Sequence, residues 1–330
     1  MAFGVLLPHF GPHASPARIV DYCARLEELG FDAVWVRDHL LWRPNVFEPA
    51  DRTFVEPLIT LAAVASATRR MALGTAVLIP IRWPLKVAQE LASLSYLAGG
   101  RVIAGMGLGS NAEESAAAGM DAGAREQIFR ETVEIARLVW SGDGVSYRGQ
   151  IFSFQDVTLR PRPPRPIPIW GGGTTRASVR RAVELCDGWM TGRLPLATLG
   201  DRLRLLRRLE AESGRRLAVG YIPLLYLSRT REEAEAALNV CDLMVASRDG
   251  MAKYWIVPEH GFRTLDDLEG LLVYGTPHDC ADQIARLADL GIDHFVVDLR
   301  LQFDRYEELT ELVGREILPR FRRAATRTDP

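Results

Sequence analysis

The sequence contains almost no lysine and carries no excess of basic charge. Its 330 residues include 40 basic and 42 acidic side chains, which give a formal net charge of -2 and a pI of about 6.3. A chain with this balance has no overall positive field that would attract nucleic acid or an anionic membrane. Only Lys86 and Lys253 are lysines, which leaves 38 arginines. We therefore expect a small-molecule substrate as the partner, and neither nucleic acid nor a membrane.

Cysteine is scarce, and long apolar runs are missing. The four cysteines form no Cys-x-x-Cys pair, and no histidine stands near them at metal-ligand spacing, so the pattern predicts neither a metal site nor a disulfide framework. No uncharged run is long enough to span a membrane, and the first apolar run, residues 3–7, has no basic leader or cleavage site. We expect buried thiols and a cytoplasmic protein.

Short apolar runs that alternate with helical patterns dominate the chain. The predicted strands are residues 3–7, 31–36, 71–76, 101–105, 167–170, 188–190, 217–227 and 295–297. Eight strands with helices between them predict an α/β fold of the (β/α)8 TIM-barrel type with insertions, formed by residues 1–330 as a single domain. A doubly wound sheet, the alternative, would use fewer strands and two domains. The predicted insertions are a β-hairpin and extended segment at 143–166 and a lid at 247–275.

The fifth predicted strand ends in a triple glycine. Gly171, Gly172 and Gly173 allow a close backbone approach, and Thr174 or Thr175 can cap the helix that follows. Backbone amides at a helix N-terminus attract phosphate oxygens, so this turn predicts a phosphate site that includes Thr174. The alternative is a βα loop whose glycines serve only the turn.

The second and third strands also end in informative residues. Ligands of a TIM barrel lie at the carboxyl ends of its strands, where Asp38 and His39 follow the second strand. His39 could give or take a proton near neutral pH; the alternative is a surface acid and a structural histidine. Residues 74–80 offer small side chains and then an apolar wall suited to a flat ring, or they form ordinary strand core.

A glycine-rich stretch follows the fourth strand. Gly105, Gly107 and Gly109 precede Ser110 and Asn111, and Ser110 takes the place of the third glycine of a dinucleotide turn. In a barrel, the stretch is better interpreted as a loop that approaches a cofactor with Ser110 and Asn111 as hydrogen-bonding groups, or as a plain turn. His9 could line the same mouth or cap a turn. For His260, His278 and His294 the sequence indicates no partner.

Taken together, four stretches resemble the bacterial luciferase-like flavin and deazaflavin oxidoreductases. They are Gly-Phe-Asp-Ala-Val-Trp-Val-Arg-Asp-His at 30–39, Leu-Gly-Thr-Ala-Val-Leu at 73–78, Leu-Ala-Gly-Gly-Arg-Val-Ile-Ala-Gly-Met-Gly-Leu-Gly at 97–109 and Pro-Ile-Trp-Gly-Gly-Gly at 168–173. The resemblance implies a (β/α)8 barrel, a homodimer, a flavin-type ring at the strand ends and its phosphate near the strand-five glycines. It also implies a non-prolyl cis peptide behind the ring, at Ala76-Val77 by motif position.

The Asp-His pair looks like that of the branch that uses coenzyme F420, in which the histidine acts as acid or base. One departure concerns the substrate. Sugar-phosphate dehydrogenases of that branch have an acid after the strand-four glycines, where this chain has Ser110, and this argues against such a substrate. Glu113 and Glu114 lie slightly further on and could replace that acid only in part.

The leading hypothesis is an F420-dependent oxidoreductase that passes a hydride between C5 of the deazaflavin and a small organic substrate, with His39 and Asp38 as catalytic residues. The predicted substrate pocket consists of His9, Leu40, Trp42, Ile79 and Trp83, which could also be plain packing. The alternatives are an FMN-dependent monooxygenase that uses reduced flavin and oxygen, and a non-catalytic flavin-binding protein. The incomplete glycine fingerprint disfavours a plain NAD(P) dehydrogenase.

Overall fold

A closed parallel barrel forms the centre of the molecule. The computed structural model describes residues 1–41, 51–247 and 252–322. The strands are β1 Ala2–Leu6, β2 Ala33–Val36, β3 Ala72–Thr75, β4 Val102–Met106, β5 Val145–Arg148, β6 Ser153–Val157, β7 Ile169–Gly172, β8 Gly188–Thr191, β9 Ala218–Tyr221, β10 Leu224–Leu227, β11 Leu272–Gly275 and β12 His294–Val297. Eight of them close in the order β1-β12-β9-β8-β7-β4-β3-β2. The predicted TIM-barrel class is therefore confirmed, and the doubly wound alternative is wrong.

Helices pack around this barrel. They are α1 Cys23–Leu29, α2 Pro57–Ala67, α3 Pro84–Leu97, α4 Ala112–Ala117, α5 Arg125–Ser141, α6 Arg176–Leu185, α7 Leu196–Ser213, α8 Arg231–Ala237, α9 Val240–Ser247, α10 Pro277–Asp289, α11 Tyr306–Leu312 and α12 Leu318–Arg322. At the start of α10, Thr276 and Asp279 form a reciprocal capping box. Among the described residues, we find no helix with the length and apolar character that a membrane span requires.

Two tryptophans fill the barrel interior because neighbouring strands carry glycine. The rings of Trp35 and Trp170 lie 5.5 Å apart between centroids. A Cβ atom on Gly74 would lie 2.3 Å from the Trp35 ring, and one on Gly188 would lie 2.5 Å from Trp170. The Trp35 indole donates to Nε2 of His294 at 3.0 Å, so His294 does have a partner. Burial lowers the pKa of His294 to about 4, which keeps the ring neutral.

Two predicted elements are broken in the structure. The strand expected at 217–227 divides into β9 in the barrel and β10 outside it, because Pro223 between them has no amide for the ladder. β10 pairs in parallel with β11. The helical pattern of residues 231–246 predicts one helix, but the structure has two, α8 and α9, because Leu238 between them has an extended backbone, with φ -105° and ψ 140°.

The first predicted insertion contains the expected hairpin, in which β5 and β6 are antiparallel. Glu131 on α5 holds the turn, since its carboxylate accepts from the amides of Gln150 at 2.7 Å and Phe152 at 2.8 Å. The second predicted insertion, 247–275, is less irregular than expected. Its last four residues form β11, and its described part also includes the 3-10 turns Ala252–Tyr254 and Asp266–Leu268.

Candidate active site

The bend after β3 lies at the carboxyl ends of the barrel strands. The peptide bond between Ala76 and Val77 is cis, as the resemblance implies. Beyond this bend the chain pairs with β4 again, since the Leu78 amide donates to the Gly105 carbonyl at 2.8 Å and the Gly107 amide donates to the Leu78 carbonyl at 2.8 Å. Ala76 and Val77 remain partly exposed at the barrel mouth, where a flat ring could contact them.

Two glycines make room for the Val77 side chain. A Cβ atom on Gly107 would lie 2.6 Å from one Val77 methyl group, and a Cβ atom on Gly172 would lie 2.7 Å from the other. Real Cβ atoms do not approach other atoms this closely, so both positions require glycine while Val77 keeps its place. Gly107, which follows β4, and Gly172, at the end of β7, therefore meet at the same bend, although the sequence places them 65 residues apart.

His39 pairs with the buried carboxylate of Glu114. Its Nδ1 lies 3.1 Å and 3.2 Å from the two carboxylate oxygens of Glu114, and its Nε2 lies 3.2 Å from Nη2 of Arg37. The Glu114 side chain is 2% exposed and the His39 side chain 26% exposed. The imidazole is thus held by a carboxylate on one side while part of its surface remains open. This arrangement is suited to proton exchange.

Asp38 has a different partner from the one the sequence suggests. Its carboxylate accepts from the Ile79 amide at 2.9 Å and from Arg82, whose Nη2 lies 2.9 Å from Oδ1. Glu56, the N-cap residue of α2, accepts from the same guanidinium at 3.0 Å. Because the Asp38 side chain is completely buried, this ion pair joins the loop after β2 to the bend after β3. With its carboxylate buried against Arg82 and the Ile79 amide, Asp38 connects two loops, and its catalytic role stays a prediction.

His9 does not line an open pocket, which corrects the prediction for this residue. Its side chain is fully buried, Nδ1 lies 2.9 Å from the Val55 carbonyl, and Nε2 accepts from the Arg37 amide at 2.9 Å. Burial lowers the pKa of His9 to about 3, so the ring is neutral and carries its proton on Nδ1. Its role is to connect two backbone segments, and the sequence pattern could not distinguish this from a pocket position.

The loop after β4 leads directly to Glu114. Gly109 has a φ of +70°, which favours glycine, and Ile79 lies beside it. Ser110 is exposed, and the Asn111 side chain caps α4 by accepting from the Glu113 amide at 3.0 Å. With the Asn111 side-chain oxygen occupied by the cap, Ser110 is the more exposed residue of the predicted pair.

The three glycines at the end of β7 have structural neighbours within the barrel. A Cβ atom on Gly171 would lie 3.1 Å from Ala182 of α6, and the Gly173 amide already donates to the Met190 carbonyl at 3.1 Å. The predicted phosphate contact of Gly173 through its amide is therefore wrong. Thr175, not Thr174, caps α6, since its hydroxyl accepts from the Ser178 amide at 3.1 Å. Thr174 is nearly buried, and its carbonyl accepts from Arg202 at 3.2 Å.

An open cavity of about 500 Å³ lies at the N-terminus of α6. It is lined by Thr175, Arg176, Ala177, Asp201, Arg202, Tyr254 and Ile256. The amides of Arg176 and Ala177 belong to the first turn of α6, where no intrahelical carbonyl can reach them. Asp201 pairs with both arginines, at 2.7 Å in the case of Arg176. The free amides of this helix start, a few residues after the glycines, could therefore hold a phosphate.

The remaining predicted pocket residues differ in their surroundings. Leu40 is 51% exposed and Ile79 is buried beside Gly109, whereas Trp83 is 47% exposed and meets the Phe152 ring of the hairpin turn edge-on. Trp42 lies outside the described residues. Part of the predicted lid also contributes to the site, because Tyr254 and Ile256 line the cavity at α6, and the Ile256 amide donates to the Thr198 hydroxyl at 2.8 Å.

Three residues of the site are not among the site residues that the sequence predicts. Glu114 was considered only as a partial replacement for an absent acid, and Arg37 and Arg202 were not considered. An acid on the helix after the strand-four glycines was the available signal for Glu114. No sequence signal distinguishes Arg37 or Arg202 among 38 arginines.

Comparisons with known proteins are consistent with this geometry. Residues 1–294 match the luciferase-like monooxygenase family model. An F420-dependent glucose-6-phosphate dehydrogenase of Microbacterium testaceum is 30% identical and covers 95% of this chain and 95% of its own length. An enzyme of the same description from Amycolatopsis mediterranei is 29% identical over 85% of this chain and 88% of its own.

Solved structures show the same fold at lower identity. An F420-dependent secondary alcohol dehydrogenase in complex with an F420-acetone adduct superposes with a TM-score of 0.78 at 21% identity, covering 96% of this chain and 98% of its own. The oxygenating constituent of 3,6-diketocamphane monooxygenase from Pseudomonas putida, in complex with FMN, gives a TM-score of 0.74 at 17% identity, covering 97% and 98%. Since the family model matches most of its length, this chain belongs to the luciferase-like monooxygenase family.

Proposed function

We propose that this protein is an F420-dependent oxidoreductase that acts on a small organic substrate. The observation that carries the proposal is the His39–Glu114 pair, which Asp38 connects to the Val77 bend through its 2.9 Å bond to the Ile79 amide. The F420-dependent relatives, at about 30% identity over nearly the full chain, support the choice of cofactor. The partly open imidazole supports an acid or base role beside the cofactor site.

The residues present fit a flat ring joined to a phosphate. Ala76, Val77, Gly107 and Gly172 would hold the ring, because the two glycines leave the Val77 side chain seated at the barrel mouth. The amides at the start of α6 would bind the phosphate, with the helix dipole behind them. When bound, the deazaflavin supplies hydride exchange with the substrate carbon.

His39 handles the proton that accompanies this exchange. In the oxidative direction, a substrate hydroxyl gives its proton to the imidazole and becomes a carbonyl oxygen, and in the reductive direction the imidazolium returns the proton. Glu114 faces the opposite side of the ring and stabilises its positive charge. Leu40, Ile79 and Trp83 remain the proposed apolar walls for the substrate.

An FMN-dependent monooxygenase is the second candidate, since the structural neighbours include an FMN-bound monooxygenase. Fluorescence titration with F420 and FMN separates the two, because each ligand changes its emission on binding. Oxygen consumption in the presence of reduced FMN would favour the monooxygenase. For a non-catalytic flavin-binding protein, binding would persist and His39→Gln would change no turnover.

The same proposal includes a homodimer. α2 contains no charged residue and leaves Ile59 68% exposed, while Tyr96 and Leu97 on α3 are 61% and 70% exposed. A helix that is apolar all round is normally covered on every side, so a second copy of this chain is the proposed cover. Light scattering after size exclusion tests this: a dimer is expected, and Ile59→Glu with Leu97→Glu should give a monomer. A monomeric wild-type protein would contradict it.

A further inference from the structure

One buried carboxylate on α5 holds the turn of the β5–β6 hairpin. Glu131 is fully buried, and its two oxygens accept from three consecutive backbone amides. These belong to Gln150 at 2.7 Å, Ile151 at 3.1 Å and Phe152 at 2.8 Å. Gln127, one helical turn earlier on α5, donates a further hydrogen bond at 2.9 Å. The position of the turn backbone is therefore set by a single side chain of α5.

The Glu131 carboxylate is ionised, and the turn leaves no room beside it. Burial alone would raise the pKa of Glu131, but the hydrogen bonds from Gln127 and the turn amides outweigh burial and hold that pKa below its usual value. A Cβ atom on Gly149 would lie 2.3 Å from the Glu131 carboxylate, so this position requires glycine while the carboxylate keeps its place. The Gly149 amide donates to the Phe152 carbonyl at 2.9 Å and closes the turn.

The turn places one aromatic ring against the loop that follows β3. Phe152 is 5% exposed and belongs to a small apolar core that includes Ala88 of α3 and Ile128 of α5. Its ring meets the Trp83 indole edge-on, with centroids 5.0 Å apart and an interplanar angle of 88°. Since Trp83 is 47% exposed, the indole contacts the hairpin on one side and is open on the other.

Trp83 lies in the same loop as the bend that is the proposed ring site. This loop runs from the cis bond at Ala76-Val77 to Pro84, the first residue of α3. Arg82, the neighbour of Trp83, pairs with the buried carboxylate of Asp38 after β2. The backbone on both sides of Trp83 is therefore fixed by the barrel and by α3, while the hairpin ring supports its side chain.

We propose that the hairpin turn 149–152 is a specificity element of the substrate pocket. Glu131 and Phe152 act as positioning residues, and the open face of Trp83 contacts an apolar part of the substrate. This inference rests on the proposed function, in which Trp83 is a wall of the pocket. An indole supported edge-on by a second ring offers a flat apolar surface. It favours substrates with an aliphatic or aromatic group over polyhydroxylated ones, because hydroxyls against this surface would lose hydrogen bonds to water.

Fluorine-19 NMR of the protein labelled with 5-fluorotryptophan tests the positioning without cofactor or turnover. Trp83 is one of seven tryptophans, and its signal is assigned by its loss in Trp83→Phe. Glu131→Gln sets an amide NH2 group against the turn amides, so the Trp83 signal should shift or broaden. Glu134→Gln is the matched control on α5, because this acid accepts from the Tyr147 hydroxyl of the hairpin at the protein surface. It should leave the Trp83 signal unchanged.

Two further variants change the support of the indole by other routes. Gly149→Ala displaces the Glu131 carboxylate and should change the Trp83 signal as Glu131→Gln does. Phe152→Leu keeps the turn and the small core but removes the edge-on contact, so it should shift the Trp83 signal even if both turn variants fail to fold. An unchanged Trp83 signal in Phe152→Leu, or in folded Glu131→Gln, would overturn the positioning roles.

Titration with toluene tests the wall, because toluene has no polar group. With the wild-type protein saturated with F420, toluene should shift the Trp83 signal in a saturable way. In Glu131→Gln the concentration for half-saturation should rise about 2- to 10-fold, the range expected for loss of one edge-on aromatic contact. Glycerol, a polyhydroxylated probe, should cause no shift at the same concentrations. A Trp83 signal that ignores toluene, or that responds equally to glycerol, would overturn the specificity role.

The outcomes distinguish this inference from the proposed function. Failure of the wild-type protein to bind F420 refutes the proposed function, but the cofactor-free spectra still decide whether Glu131 and Phe152 position Trp83. If F420 binds and toluene leaves the Trp83 signal unchanged, the proposed function stands and the specificity role fails.

Discussion

The Asp38 carboxylate lies 2.9 Å from the Ile79 amide, so a residue that follows the second barrel strand holds the loop that follows the third. Arg82 pairs with the same carboxylate. It also pairs with Glu56, whose Oε1 lies 3.0 Å from the Arg82 Nη2. Because His39 is the next residue after Asp38 and Val77 lies two residues before Ile79, this ion pair sets the distance between the proposed acid/base and the proposed ring site. This connection supports a positioning role for Asp38, and its catalytic role stays a prediction.

Asp38→Asn should therefore reduce both stability and cofactor affinity. Breaking this buried ion pair leaves Arg82 with Glu56 alone of its two carboxylate partners, and we expect the free energy of unfolding to fall by about 3 kcal/mol. Urea unfolding measures this free energy. The control is Asp143→Asn, whose partners Arg160 and Arg162 lie on an exposed surface, and it should cost less than about 1 kcal/mol. Equal losses in the two variants would contradict the role of Asp38.

Alanine at Gly107 or Gly172 should displace Val77 and weaken cofactor binding. The added Cβ would lie within 2.6 to 2.7 Å of a Val77 methyl group, so the bend must move. We expect the F420 affinity from fluorescence titration to fall at least about tenfold, which corresponds to about 1.4 kcal/mol.

Two further variants make that prediction specific. Val77→Ala combined with Gly107→Ala removes the clash and should recover part of the affinity. Gly200→Ala in α7 meets only the Arg204 side chain at 3.4 Å and should leave binding unchanged. If Gly107→Ala binds F420 as tightly as Gly200→Ala does, the bend is not the ring site.

Replacing Arg176 with proline should weaken phosphate binding because it removes one backbone amide hydrogen. Arg176 is the first residue of α6, a position that accepts proline without disturbing the helix, and the substitution removes its amide hydrogen. Arg176→Ala is the matched control, because it loses the same side chain and the same ion pair with Asp201 but keeps the amide. We expect Arg176→Pro to bind F420 about tenfold more weakly than Arg176→Ala.

The deazaflavin without its phosphate provides the second arm of that experiment. It should bind both variants equally, since it has no group for the α6 amides. A loss of affinity for this compound in Arg176→Pro alone would show that proline disturbs the ring site, and the assignment of the phosphate to α6 would then fail.

Much of the fold was predictable from the sequence because strand and helix periodicities are local. The eight barrel strands and the hairpin are confirmed, and the boundaries fail at Pro223 and Leu238, where tertiary pairing decides. The site was predictable only in part. Side-chain partners such as Glu114 for His39 arise from the meeting of loops that lie 75 residues apart, and no local pattern specifies the direction in which a side chain points.

Acid should destabilise the protein through its two buried neutral histidines. Burial lowers the pKa of His9 to about 3 and that of His294 to about 4, against about 6.5 in the unfolded chain. Below pH 6.5 these two histidines bind protons in the unfolded chain but stay neutral in the folded protein. The stabilising contribution of the neutral histidines is therefore complete above pH 6.5 and is lost as the pH falls toward 4.

By pH 5.5 each histidine should cost about 1.4 kcal/mol of unfolding free energy relative to pH 7.5. Urea unfolding at the two pH values measures the loss, and His294→Gln, which keeps an acceptor for the Trp35 indole, should reduce it by about half. Equal stability of the wild-type protein at pH 5.5 and 7.5 would contradict the neutral burial of these rings.

Fluorescence titration of the wild-type protein with F420 and with FMN tests the central claim most directly, because the cofactor distinguishes the proposed dehydrogenase chemistry from oxygen activation. The account predicts saturable binding of F420 at micromolar concentration or below, and FMN binding at least about tenfold weaker. Tight binding of FMN without binding of F420 would contradict it.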